Sequence, residues 1–396
     1  MPELPEVETV ARDLRPRIVG ATITGARCSW ARTLRTHPPE AFAEAVAGRR
    51  VEGVGRRAKQ IVIDLSGDVA LTIHLKMTGQ LFVVASATPV DPYVRLVLEL
   101  ADGREIRFRD IRKFGKIGLY GRDPVTGELV TEVGGGAVFA ALGPEPLDDA
   151  FTVREFRRRF RRRSGRLKPL LLDQSFIVGV GNIYADEALW SARLHPLRTA
   201  GTLRPLDERH LYESIRSILA EAVELRGSSI DDYTAPDGDG SMQEHLQVYQ
   251  RTGEPCPRCG RPVKRIIVGA RSTHFCSWCQ RLGAGDRKGA AAILRTMTGG
   301  PRRAGGRWTD LAREGALGLT PGEVDGATSR ARTERTKQAA ATRRAAARAS
   351  ATAASSPATV GSLPAGPAAA SSSPAAAASV PAAAASVPVA AKGPVR

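Results

Sequence analysis

Apolar residues recur along this chain with two different periods, and the places where the period changes divide it. From Pro5 to about Val19, the residues Val7, Val10, Ala11 and Leu14 fall at i, i+3, i+4 and i+7, which predicts an amphipathic helix. Proline suits its first turn, and Glu6 and Glu8 suit its positive end. From Ala21 to about Tyr120 the pattern becomes short alternating or apolar runs, such as Ile61 to Leu65, Val94 to Leu100 and Ile106 to Phe108. Glycine and Asp-Gly turns separate them, so this region reads as two antiparallel sheets packed together. Leu142-Gly-Pro-Glu-Pro-Leu147 reads as a linker. Helical spacing then returns at Val153 to Phe160, Leu167 to Gln174, Asp186 to Ala192 and Asp207 to Leu225, predicting a small helical domain. Gly283 to about Leu319 is rich in glycine and arginine with one weakly helical piece. From about Gly322 the composition collapses to Ala, Ser, Pro, Thr and Arg, and Trp308 is the last aromatic. So little large apolar surface cannot offset ordering entropy, and a disordered basic tail is expected, acting as an electrostatic tether or a lineage-specific extension.

Charge narrows the class of partner. Lys and Arg exceed Asp and Glu by 17 in 396 residues, which favours a polyanion, with nucleic acid ahead of an anionic membrane surface. The chain shows no run of eighteen apolar residues and no basic-then-apolar leader, so neither a membrane span nor a secretory signal is expected. Four of the five cysteines form two pairs, Cys256-Pro-Arg-Cys259 and Cys276-Ser-Trp-Cys279, sixteen residues apart. That spacing predicts a tetrahedral four-thiolate zinc site, closed to further ligands and therefore structural. The interval Gly260 to Phe275, with Val263, Ile266, Ile267 and Val268 before Gly269, reads as a β-hairpin. Its Arg261, Lys264, Arg265 and Arg271 form a basic surface suited to phosphates, although each alone is an ordinary solvated charge. Cys28 reads as a buried small hydrophobe.

Candidate covalent chemistry lies at the start of the chain. Removal of Met1 would turn Pro2 into a secondary amine, which condenses with an aldehyde carbon to give a cationic iminium directly. Glu3 places an acid or base beside it, and the positive end of the following helix should lower the pKa of the amine. Met-Pro is common at chain starts, so the case depends on the rest of the chain. Val178-Gly179-Val180-Gly181-Asn182-Ile183-Tyr184 precedes a helix; its glycines serve either a phosphate-binding turn or a plain helix turn. His74-Leu-Lys-Met-Thr-Gly-Gln80 and Asp110-Ile-Arg-Lys-Phe-Gly115 each set a large apolar residue beside cations and a glycine. Burial statistics place Met77 and Phe114 in a core; exposed on a basic face, they would instead wedge into a base stack.

Met-Pro-Glu-Leu-Pro-Glu-Val-Glu-Thr at the start, Arg57-Ala58-Lys59, the Lys-Met-Thr-Gly turn, Arg-Lys-Phe-Gly, Val-Gly-Asn-Ile-Tyr-Ala and the four-cysteine finger together resemble the formamidopyrimidine-DNA glycosylases, in order, from residue 1 to about 282. The resemblance implies a bifunctional base-excision enzyme that removes oxidised purines, 8-oxoguanine and formamidopyrimidines, from duplex DNA and then cleaves the strand by β,δ-elimination. The implied α+β fold is a catalytic β-sandwich with an N-terminal helix (2–135), a linker (136–149), a helix-two-turn-helix domain (150–240), a β-hairpin zinc finger (246–282) and a low-complexity tail (283–396).

By the same resemblance, Pro2 is the nucleophile at C1′, Glu3 assists sugar-ring opening, and Lys59 grips a phosphate and assists β-elimination. Arg271 is linked to phosphate binding and δ-elimination. Lys168 and Asn182 match phosphate contacts, with Arg163 as an auxiliary. Met77, Arg112 and Phe114 match the set that fills the gap left by a flipped nucleotide. Tyr93 stands where relatives have a DNA-contacting histidine, and Thr234 to Met242 lacks the aromatic of the loop that covers the flipped base. The expected state is a zinc-containing monomer that is cytoplasmic and nucleoid-associated, with no membrane and no small-molecule cofactor. Two other readings compete: an endonuclease VIII-like enzyme for oxidised pyrimidines, opposed by Leu4 and the complete wedge set, and a non-catalytic zinc-finger damage sensor, opposed by Pro2, Glu3 and Lys59 together.

Overall fold

The structure, a computed structural model, describes residues 1–131, 136–229, 238 and 240–299. The low-complexity tail beyond 299 and residues 230–237 and 239 of the loop segment lie outside the described residues.

The predicted first helix is α1 (Leu4–Ile18), with Glu3 as its N-cap and Pro5 in its first turn. The sheet region contains β1 (Ile23–Cys28), a short helix α2 (Pro39–Val46), then β2 (Val51–Arg57), β3 (Gln60–Leu65), β4 (Val69–His74), β5 (Gly79–Ala85), β6 (Val94–Leu100), β7 (Arg104–Asp110), β8 (Lys116–Arg122) and β9 (Leu129–Val130). They form a four-stranded sheet in the order β1-β6-β7-β5 and a five-stranded sheet in the order β2-β3-β4-β8-β9. Alternation sets the register: Ile61, Ile63 and Leu65 face the core while Gln60, Val62 and Asp64 face outward. Val7, Val10, Ala11, Leu14 and Ile18 of α1 pack into this sandwich, whereas Leu4, at its first turn, belongs to the core of the helical domain. The helix that carries Glu3 is thus wedged into both cores. Cys28 is half-buried against the sandwich rather than fully inside it.

The helical domain contains α3 (Val153–Phe160), α4 (Leu167–Leu172), α5 (Asn182–Ser191), α6 (Pro205–Glu224) and α7 (Met242–His245). Phe151, Phe156, Phe160, Phe176 and Tyr212 form its aromatic core. The Leu142 to Leu147 segment is tied to both neighbours: Gly143 N donates to Gln174 O, and the Glu145 carboxylate accepts from Arg56, Arg57 and Ala58 N.

The finger hairpin is β10 (Lys264–Val268) and β11 (Arg271–Phe275), followed by α8 (Ala284–Lys288) and α9 (Ala291–Leu294). Assigning the tail from 283 placed the boundary too early. Ala290 is buried with Ile266, Val268 and Phe275, and Arg265 and Thr298 exchange both backbone hydrogen bonds. The missed signal is the apolar run Ala290 to Leu294, too short for its periodicity to predict a helix, yet it forms α9 and packs against the two-stranded hairpin.

Candidate active site and nucleic-acid interface

Pro2 and Glu3 are buried where the sandwich meets the helical domain, and Met1 sits partly exposed outside them. Glu3 is 2% exposed, and its carboxylate accepts from Gly181 N at 2.6 Å and Ile183 N at 2.8 Å. Those amides open α5, so the helix start binds the protein's own carboxylate instead of a phosphate. This explains both glycines. A Cβ on Gly181 would lie 2.3 Å from the Glu3 carboxyl carbon, and one on Gly179, whose φ is +81°, would lie 2.6 Å from Leu4. Leu4 N also donates to Gly179 O, so the turn grips the first residues by backbone and side chain alike.

Glu6 completes this node and was missed when it was read only as a favourable charge near a helix start. One of its oxygens accepts from Glu3 N at 2.8 Å; the other accepts from Tyr184 Oη at 2.6 Å and Ser228 N at 2.8 Å. The i, i+3 spacing of Glu3 and Glu6 was the available signal. Burial raises the Glu3 pKa, with Lys59 opposing and Glu6 reinforcing the shift. Burial, and then the neighbouring Glu6, also pushes the Tyr184 phenol upward, so it remains a donor.

Lys59 reaches the node from the β2–β3 turn. Its neighbour Ala58 is left-handed, with φ at +55°, and Glu145 of the linker holds Ala58 N at 2.6 Å. Lys59 is 6% exposed; burial lowers its pKa, Glu3 and Glu6 pull it up, and Arg271 lowers it. Pro2, Glu3 and Lys59 therefore come together, with Arg271, exposed at the finger hairpin, in electrostatic range of Lys59. His74 lies beside them, its pKa lowered to about 3 by burial, Lys76 and Lys59, so the imidazole is neutral near pH 7.

The wedge residues occupy two adjoining loops. Met77 is half-buried, whereas Arg112 is exposed and Phe114 is 48% exposed, so Phe114 is not a core residue. The Arg112 guanidinium lies 5.0 Å from the Phe114 ring centre. Tyr93 is 41% exposed, Arg95 and Arg109 lie against its ring, and its carbonyl accepts from Asp110 N at the base of the same loop.

Two proposed phosphate contacts are placed differently from expectation. Lys168 has no exposed surface: its ammonium donates to Asp186 Oδ1 at 2.6 Å and Asn182 O at 2.8 Å. A fully buried, paired ammonium braces α4 against α5 and does not present itself to DNA, because leaving Asp186 unpaired would be strongly unfavourable. Arg163 is exposed but turned to Asp173 and Ser175. Asn182 is half-buried and donates to Ser272 O at 3.0 Å, joining α5 to the finger. Asp186 extends that joint by accepting from His274 N at 2.8 Å, and Glu187 accepts from the backbone of Gln247, Val248 and Tyr249.

The sulfurs of Cys256, Cys259, Cys276 and Cys279 lie within 4.8 Å of one another, with Cys259 and Cys276 at 3.5 Å. Sulfurs of a tetrahedral zinc site stand about 3.8 Å apart, from bonds of about 2.3 Å, so the arrangement fits that ion. Trp190 Nε1 and Cys279 N point at the sulfurs of Cys256 and Cys276, as suits thiolates.

Comparison with known proteins accords with this geometry. Residues 1–117 match the formamidopyrimidine-DNA glycosylase N-terminal domain, 142–234 match its H2TH domain, and 253–282 match the zinc finger found in FPG and IleRS. A formamidopyrimidine-DNA glycosylase of Herpetosiphon aurantiacus is 47% identical over 282 residues, covering 71% of this chain and all of that protein. One of Chloroflexus aurantiacus is also 47% identical, over 71% of this chain and 98% of that protein. Among solved structures, a complex of Lactococcus lactis Fpg with DNA containing an abasic site superposes with a TM-score of 0.65 at 36% identity, covering 71% of this chain and 100% of that one. A complex of MutM with DNA containing carbocyclic 8-oxo-G gives 0.64 at 37% identity, with the same coverage.

Proposed function

This chain belongs to the formamidopyrimidine-DNA glycosylase family, and from that premise and the buried node we propose that Pro2, Glu3 and Lys59 excise oxidised purines from duplex DNA and then cleave the strand. It is a DNA glycosylase of base excision repair that acts on damaged duplex DNA, and abasic-site lyase activity is characteristic of the family. Its finger carries one structural zinc ion, and no helix among the described residues is long and apolar enough to cross a membrane.

The observation that carries the residue assignment is the Glu3 carboxyl group, fixed beside Pro2 by two backbone amides and faced by Lys59. Once Met1 is removed, the Pro2 amine attacks C1′ of the damaged nucleoside and the bond from C1′ to the base breaks, with the electron pair leaving on the base. Glu3, its pKa raised by burial, is suited to deliver a proton to O4′ as the sugar ring opens, leaving an iminium on Pro2. The iminium acidifies C2′. Loss of a C2′ proton expels the 3′ phosphate, a second elimination expels the 5′ phosphate, and hydrolysis frees Pro2. Lys59, its pKa lowered by burial, is suited to accept a proton during these steps, while Arg271 holds a phosphate from the finger side. Met77, Arg112 and Phe114 fill the gap in the stack, with Tyr93 flanking them. Asn182 contributes to the interface through its link to Ser272.

Borohydride trapping on a duplex with 8-oxoguanine opposite cytosine tests this reading. A covalent protein–DNA adduct is expected, weakened in Pro2→Gly and abolished when Met1 or an N-terminal tag is retained. Absence of any adduct would overturn the assignment, and preferential excision of thymine glycol would overturn the choice of purine lesions.

A further inference from the structure

Met77 precedes β5 and Phe114 follows β7, antiparallel neighbours in the four-stranded sheet, so their loops lie at the same end, and a single buried carboxylate connects them. Asp110 closes β7 and has no exposed surface; it pairs with Gly79 at the start of β5. Its Oδ1 accepts from Thr78 Oγ1 at 2.5 Å, and its Oδ2 accepts from Gly115 N at 2.7 Å. Thr78, 2% exposed, returns the link by accepting from Arg112 N at 3.2 Å. The hydroxyl is thus both donor and acceptor, which only serine or threonine can supply in this space. The residue after Met77 is bonded into the loop of Arg112, and the residue after Phe114 is bonded to the same carboxylate.

Both loops also hold a non-glycine residue in the left-handed region, Lys76 and Lys113, each with φ at +59° and each beside a wedge residue. Such backbone persists where its surroundings over-determine it. Gly115 leaves no slack: a Cβ there would lie 2.3 Å from the Phe108 ring and 3.1 Å from Asp110 Oδ2. The main chain of Asp110 continues the brace, with its N donating to Tyr93 O and its O accepting from Arg95 Nε, each at 2.9 Å.

We propose that Thr78 and Asp110 form a positioning clamp that makes Met77, Arg112 and Phe114 one preorganised unit, so that both loops enter the base stack together. Neither residue touches the reacting atoms, and the proposal rests on the wedge reading above. Filling a gap with two loops held in fixed register loses less ordering entropy at the moment of binding than recruiting each separately.

The test uses the full chain with Met1 removed, the variants Thr78→Val, Thr78→Ser and Thr78→Ala, and the wedge variant Met77→Ala/Phe114→Ala. Single-turnover excision of 8-oxoguanine from a duplex requires the stack to open, whereas cleavage at an abasic site in an unpaired bubble does not. Thr78→Val and Thr78→Ala should slow duplex excision about tenfold and leave bubble cleavage within about twofold, while Thr78→Ser keeps both. In the wedge variant, adding Thr78→Val should cost nothing further, because the clamp then has nothing to hold. Thr78→Ala carries the comparison should the valine variant not fold. Unchanged duplex excision in the clamp variants, equal loss on both substrates, or additivity with the wedge variant would overturn the clamp alone. Full duplex excision by the wedge variant would instead defeat the wedge reading, and the clamp with it.

Discussion

The N-terminal node and the four-cysteine finger each fix a few reactive atoms, but across opposite distances along the chain. Glu3 is held by amides 178 and 180 residues away, and Glu6 accepts from an amide 222 residues away. The finger gathers all its sulfurs within Cys256–Cys279. The node is made of two buried carboxylates and a buried lysine; burial disfavours the charged forms of Glu3 and Lys59, and the group is accommodated only while the sandwich and helical domain are docked. The finger draws its order from metal–thiolate bonds, which need no distant partner. The geometry of the node is therefore a report on domain docking, whereas the finger's own order is a report on zinc.

That contrast can be broken or sharpened experimentally. The largest effect should come from Cys256→Ser, because structural zinc binding in finger peptides is worth about 10–16 kcal/mol. Bound zinc measured by atomic absorption should vanish and DNA affinity should fall sharply, while the thermal transition of the sandwich persists. Loss of the sandwich transition as well would show that the regions are not separable. Next, Gly181→Ala should push the Glu3 carboxyl group aside and reduce excision about 100-fold, with zinc content unchanged. Normal excision there would mean that the amide grip on Glu3 is dispensable.

A smaller effect should appear in acid. His74 titrates at about 3 in the fold against 6.5 unperturbed, chiefly because burial disfavours its charged form. A depressed folded value contributes stability above the unfolded pKa and loses it as pH falls from about 6.5 toward 3. His74→Gln should accordingly flatten this part of the acid unfolding curve, by at most a few kcal/mol. An unaltered curve would place the acid sensitivity elsewhere. Smallest is Arg271→Ala, which should reduce the slope of log binding constant against log salt by about one, the signature of one lost phosphate contact.

Much of the architecture was legible in the chain. Val153 to Phe160 and Val94 to Leu100 coincide with α3 and β6, because a 3.6-residue or 2-residue repeat of apolar positions is enough to choose the element. Helix α2 escaped notice because it is one short helix set among strands, with only Phe42 and Val46 fully buried. Lys168 was misjudged for a different reason. The resemblance that matched it to a phosphate contact did not reveal Asp186, eighteen residues on, which holds its ammonium inside the domain. The glycines near residue 180 were equally ambiguous, since a turn that admits a phosphate and one that admits a carboxylate need the same missing Cβ atoms.

By itself the sequence determined the order of sheets and helices, the cysteine spacing that can hold a tetrahedral ion, and the residue types that chemistry at the N-terminus requires. Those are properties of short stretches, where period, spacing and side-chain chemistry act over a few bonds. Only the tertiary structure decided that Glu3 is gripped by the start of α5, that Glu6 joins it, that Lys168 faces inward, and that Thr78 ties two loops through Asp110. Each depends on burial and on a partner distant in sequence. A carboxylate or an ammonium withdrawn from water must find its counterpart wherever the packed chain supplies one.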